Sequence, residues 1–185
     1  MIELIVGAII LFGIIFVIWF ALAYNSFVQL KNRIENAWSQ IDVQLKRRFD
    51  LVPNLMETVK GYAKHEKETF KMVTEARALI TKAQGVKEQA EAENMLSGAL
   101  KSIFAVSEAY PELKANKNFL MLQEELSGIE SKIAYTRQFY NDEVLKFNTK
   151  TETLPDSVIA GLLGFKKRDC FEIEDAAREP VKVKF

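Results

Sequence analysis

One histidine and one cysteine are all that this sequence offers for imidazole or thiol chemistry, and they lie far apart. His65 stands in YAKHEKE beside Glu66, yet successive residues of a helix do not face each other. A metal ion would ask for further ligands at helical spacing, and Glu68 or Thr69 is too thin a set. His65 therefore reads as a solvated surface residue. Cys170 has Arg168 and Asp169 beside it on a predicted loop. A basic neighbour can lower a thiol pKa, but no base and no resolving cysteine accompanies it. No GxGxxG, P-loop or GxSxG occurs, and paired acids such as Glu124 and Glu125 read as a charged helix face. The expectation is no catalytic residue, no metal, no cofactor, and no enzyme.

The charged residues that fall on apolar faces are more informative. Phe27, Leu30, Ile34, Ala37, Ile41 and Leu45 recur at steps of three and four, which is one face of a helix. A second stripe runs through Val52, Leu55, Val59 and Tyr62, then Val73, Ala76 and Ile80. Continuing the stripes brings in Arg48, then Glu66 and Arg77, and Arg137 in a later helix. Buried arginine is costly unless paired and hydrogen-bonded. Either these heads snorkel outward along their stems, or they form internal arginine–carboxylate pairs that fix helix register. Lys46 and Arg47 point off the stripe and are candidates for a partner's acidic surface, with Asp42 placed to pair with Lys46 at i,i+4.

Between the two stripes lies Pro53. Proline disfavours helical geometry in the residue before it but suits a first turn, and Asp50 could cap that turn. The spacing predicts a junction of two helices here, with a kinked continuous helix as the alternative. GVKEQAEAEN, residues 85–94, restarts a third helix from about Lys87 to Tyr110, with Leu96, Leu100, Ile103 and Ser107 inward and Pro111 at its end. A fourth opens at the caps Asn116 and Asn118 and carries Phe119, Leu122, Leu126, Ile129, Ile133, Tyr140, Val144 and Phe147. The last residues, FEIEDAAREPVKVKF, alternate weakly and are expected to lie extended. The fold expected is all-α: an N-terminal transmembrane helix, an elongated antiparallel bundle of long helices, and a short, partly extended tail.

The transmembrane helix is residues 4–23, LIVGAIILFGIIFVIWFALA, twenty residues without a charge. At ~1.5 Å per residue they span a hydrocarbon core of ~30 Å. ALA at its end resembles a cleavage site, but the start has no basic region and the run is long for a leader, so an anchor is expected. Lys31, Arg33, Lys46, Arg47 and Arg48 follow the run and no Lys or Arg precedes it. That bias predicts a single-pass protein of the cell membrane, with a short outside tail at 1–3 and a cytoplasmic bundle at 24–150. At 151–185 come a short helix and the tail. Alternating helices would bring PDSVIAGLLGFKKR back to the bilayer. There Ile159, Leu162, Phe165, Lys166, Lys167 and Arg168 could rest on an anionic surface, or the segment could simply cap the bundle. The 25 basic and 25 acidic residues leave a formal net charge of zero, which offers nothing to nucleic acid.

The stretch YNSFVQLKNRIENAWSQIDVQLKRRFDLVPNLMETVKGYAKHE, residues 24–66, resembles the signature of the LemA family. The preceding anchor, AR at 76–77, YPELKANKNF at 110–119, ELSGIESKIAYTRQFYNDEVLKFN at 125–148 and the closing PVKVKF fit the same pattern. The resemblance implies one N-terminal transmembrane helix with a helical bundle in the cytoplasm. It brings no catalytic residue, cofactor or substrate. Some bacterial members are associated with membrane stress and proteases, which points to membrane quality-control machinery as a partner. The function expected is a non-catalytic scaffold or adaptor, tethered at the inner face of the membrane, that binds protein partners or itself. The alternative is a ligand- or lipid-responsive sensor with a pocket lined by Tyr62, Phe70, Tyr140 and the arginines.

Overall fold

The computed structural model describes residues 1–172. The expected extended tail and the closing PVKVKF lie almost wholly outside the described residues. Six helices occur among the described residues, and no strand: α1 (Ile2–Lys60), α2 (Lys67–Lys82), α3 (Val86–Ser107), α4 (Pro111–Lys114), α5 (Lys117–Glu152) and α6 (Asp156–Leu163). The chain is all-α, as its periodicity predicts.

The expected junction at Pro53 is absent: α1 runs through it without a break. Proline in a helix interior costs about 3 kcal/mol. Against that, Val52, Leu55, Met56 and Val59 all bury their side chains on one face. Each fully buried residue of this kind contributes about 1.5–3 kcal/mol, so the face outweighs the missing hydrogen bond. The helix breaks at residues 61–66 instead. There the Tyr62 and Ala63 amides both donate to the Val59 carbonyl, at 3.0 and 2.8 Å. A Cβ at Gly61 would meet the Thr58 carbonyl oxygen at 3.3 Å, so this exit suits glycine. His65 lies exposed in this turn, not on a helix.

The chain divides into two compact units. The first comprises Met1–Trp38 and Phe139–Arg168. Its core holds Ala23, Phe27, Ile34, Ala37, Tyr140, Val144, Phe147, Ile159 and Ala160. Phe27 meets the Phe147 ring edge-on at 5.9 Å and stacks on Phe165 at 4.8 Å. Such pairs are stabilising beyond their buried area. Gly164, at φ 72°, ends α6 in the left-handed conformation, and the Phe165 amide donates back to the Ala160 carbonyl at 2.9 Å. That turn, which a side chain would strain, delivers Phe165 to Phe27. Residues 4–23 present apolar surface outward over most of their length. By length and composition α1 could cross a membrane, and it suggests a membrane anchor.

The second unit comprises Ser39–Gln138 and, of the described residues after α6, 169–172. Val52, Leu55 and Val59 of α1 join Val73 and Ala76 of α2, Leu96, Leu100 and Ile103 of α3, Leu113 of α4, and Phe119 and Leu126 of α5 in one core. Gly85, at φ 87°, separates α2 from α3. Pro111 does not close α3, which stops at Ser107; it opens α4, where its missing amide is harmless. Asn116 caps α5, its Oδ1 accepting from the Phe119 amide at 3.0 Å. Its Nδ2 donates to the Tyr62 hydroxyl at 2.9 Å, tying the α1–α2 turn to the cap.

Candidate functional site

Arg48 is only 1% exposed, in the second unit. It occupies the α1 position that Ile41 fills seven residues before it and Leu55 seven after, so the helix has no choice but to turn it inward. One terminal nitrogen donates to the Ser97 hydroxyl at 2.8 Å and to the Glu130 carboxylate. The other donates to Glu93 Oε2 at 2.5 Å and to the Glu93 carbonyl at 3.3 Å. Gln89 donates to Glu93 Oε1 at 3.1 Å, and Ser97 Oγ lies 3.2 Å from Glu130 Oε1. Burial pushes the Glu93 carboxyl above the ordinary glutamate range, against the pull of Arg48 and of Gln89, with Glu130 adding to the rise. Arg137 completes the charge count: burial lowers its guanidinium from the ordinary value, while Glu130 attracts it and Arg48 repels it. Two cations and two anions thus balance, with Arg48 and Glu93 in the dry interior and Arg137 and Glu130 partly open to solvent.

One end of this centre is wet. Glu130 has a side chain 49% exposed. With Ser97 it lines an open groove of about 750 Å³ along α3 and α5. Leu100, Phe104, Leu120 and Leu126 give the groove its apolar wall, and Lys101 and Glu124 are among its polar residues. Leu120 is 47% exposed. The arrangement holds charges in place and offers an apolar channel; the Ser97 hydroxyl, the group nearest a carboxylate here, shares Glu130 with the Arg48 guanidinium.

The other predicted residues fall variously. Glu66 accepts from the Tyr110 hydroxyl at 3.1 Å, a bond that raises the Tyr110 pKa, with burial adding to it. Arg77 lies over the Phe49 ring at 4.3 Å, and Arg137 over Phe171 at 6.0 Å, so an aromatic face accompanies each guanidinium. Lys46 pairs with Asp50 at 3.2 Å, not with Asp42. Asp42 and Lys46 both line a smaller opening of about 260 Å³ that reaches Glu93. Arg47 pairs within the unit, with Glu125 at 2.7 Å. Of the sensor set, Tyr62 and Phe70 belong to the second unit and Tyr140 to the first, and none of them lines the α3–α5 groove. Cys170 is held above the usual thiol range by burial, then by Glu172 and Asp169, which weakens it as a nucleophile.

In the first unit Ile159 is fully buried and cannot face lipid, whereas Leu162, Lys166, Lys167 and Arg168 are exposed and Phe165 is half-buried against Phe27. Sequence reasoning missed Glu93, Ser97, Glu130 and Glu125. The signal for Glu93 was present: the inward stripe Leu96, Leu100, Ile103, continued one step toward the N-terminus, arrives at it. Among the described residues no group of three or more His, Cys, Asp or Glu is placed to hold a metal ion.

The LemA family profile matches residues 37–185. Protein LemA of Metamycoplasma hominis is 30% identical over 162 residues, covering 85% of this chain and 72% of that protein. Magnetosome protein MamQ 2 of Paramagnetospirillum magneticum is 22% identical over 192 residues, 90% of this chain and 71% of its own. Magnetosome protein MamQ of Magnetospirillum gryphiswaldense is 21% identical over 206 residues, 97% of this chain and 76% of its own. A profile that takes in the charged centre, the groove and residues 139–168 of the first unit, together with a relative this similar along its length, makes this chain a member of the LemA family.

Proposed function

We propose that the chain is a membrane-tethered, non-catalytic scaffold or adaptor whose body receives an amphipathic helix of a protein partner, a second copy of itself included. The observation that carries this reading is the open groove of about 750 Å³ along α3 and α5. An apolar channel with a charged rim between two helices suits a third helix, whose anchors at i, i+3 and i+7 would meet Leu100, Phe104 and Leu120. A helix laid there strips water from Glu130, so the partner needs a Lys or Arg beside its apolar face to compensate. Arg47 has an internal carboxylate in Glu125, which favours this groove over the basic patch on α1 as the docking face. Tethering at the inner face of the membrane, with the N-terminus outside and one pass through the bilayer, follows from the apolar run and the Lys/Arg bias after it. It raises the local concentration of body and partner.

The test is a photo-crosslinking residue at Leu120 in the full-length protein in membranes, with Tyr135, exposed and outside the groove lining, as control. Discrete adducts at Leu120 that vanish when Ser127→Trp fills the groove support the reading. If the adducts are its own copies, the scaffold is self-assembling. Equal labelling at Leu120 and Tyr135, or none at Leu120, refutes it.

A further inference from the structure

The first unit ends in a surface that its core does not use. The inward side of α6 is Ile159 and Ala160, both buried. Its other side shows Val158, Leu162 and Leu163 to solvent, with Leu162 74% exposed. Directly after the helix come Lys166, Lys167 and Arg168, all exposed. With Lys31 of α1 they surround an opening of about 350 Å³. Lys167 reaches Glu152, and Lys31 lies 3.8 Å from Glu35. Pairs this open to solvent are weak and can be exchanged for another anion. The four cations outnumber the two carboxylates, Glu152 and Glu35, that reach them, which leaves the opening basic.

The position of this surface along α1 is fixed by contact. Phe165 stacks on Phe27 at 4.8 Å. Phe27 comes four residues after the apolar run ends, a rise of about 6 Å along a helix. Ala23, the last residue of the run, is already buried in the unit. Asn148 locks the basic run in place: its Nδ2 donates to the Arg168 carbonyl, and its Oδ1 accepts from the Arg168 amide, both at 2.9 Å. A segment pinned that close to the end of a membrane-crossing stretch sits at headgroup depth.

We propose that the outer face of α6, with Lys31, Lys166, Lys167 and Arg168, is a second membrane contact that binds anionic lipid headgroups. The inference rests on the tethered reading, since an anchor that does not span would leave this face in water. Leu162 and Leu163 enter the interface while the cations take the phosphates. This pairing of apolar side chains with basic residues binds an anionic surface and not a neutral one. Each cation near such a surface contributes about fivefold in binding.

The test uses full-length protein carrying Cys170→Ser, reconstituted in vesicles of neutral lipid with or without phosphatidylglycerol. An environment-sensitive fluorophore is placed on Leu162→Cys, or on Ile10→Cys in the anchor, and lipids bearing a quencher in the upper acyl chain are added. Quenching at both positions is expected. At Leu162 it should need the anionic lipid and fall at least about fivefold with Lys166→Glu and Arg168→Glu together. An anchor that is quenched while Leu162 is not overturns this proposal alone. An unquenched anchor overturns the tethered reading and this proposal with it. Quenching at Leu162 that ignores both the anionic lipid and the charge reversal overturns the headgroup assignment. Protection of Leu162 that rises with protein density, without quenching, assigns the face to a second copy and also overturns it.

Discussion

At the scale of residues, Arg48 decides most. Replacing it with leucine leaves Glu93 buried without its cation, and breaking a buried pair from one side costs about 3–5 kcal/mol. Arg48→Leu should lower the unfolding free energy of the detergent-solubilised full-length protein by that amount, read from urea titration by circular dichroism. The double variant Arg48→Met, Glu93→Leu should recover most of the loss, because matched apolar groups bury without penalty. Glu93 also sets a pH dependence. Its folded pKa is raised by burial, so the folded state binds more protons than the unfolded one between the ordinary glutamate value and the raised one. Stability therefore falls as pH rises through that window and is level above it. Glu93→Gln should flatten that slope in melts taken across mildly acidic pH. By the same argument Arg48→Leu should do least harm in acid, where Glu93 can take a proton. Arg48 was legible in the sequence as a charge on an apolar stripe. Its partners were harder to find because they stand on α3 and α5, and no local spacing tells which distant carboxylate a buried cation meets.

The elements were readable wherever burial and periodicity agree. The steps of three and four in α1, α3 and α5 match the buried positions closely. The break after α1 lies later than the sequence suggests because a tertiary demand outranks a local rule. Proline 53 penalises its own turn, but Val52, Leu55, Met56 and Val59 around it are held by the core. Gly61, the residue that marks the exit, carried the weaker signal. Pro53→Ala should accordingly stabilise the protein, by on the order of 1 kcal/mol or more, since it restores a helical amide and removes the ring clash. A higher melting temperature for this variant fits an unbroken α1. An unchanged or lower one would fit a helix start at that position.

For the whole molecule, the sequence made the apolar run and the fold class plain, because each depends on composition and period alone. The groove was not legible, since it arises from which faces of α3 and α5 are left uncovered. Topology is testable directly. With Cys170→Ser as background, a membrane-impermeant maleimide should label Ile2→Cys in intact cells and Tyr135→Cys only after permeabilisation; the reverse pattern would invert the orientation. The close packing at Ala23 and Phe27 has a mechanical consequence. Where a protein hangs from a loose linker, the linker absorbs any change in bilayer thickness or lateral tension. Here the folded core begins at the last residue of the apolar run, so there is no slack to take up. In the tethered reading, a bilayer that thins or thickens by one helical rise, about 1.5 Å, would act directly on the tilt of α1 and on the Phe27–Phe147–Phe165 cluster packed against it.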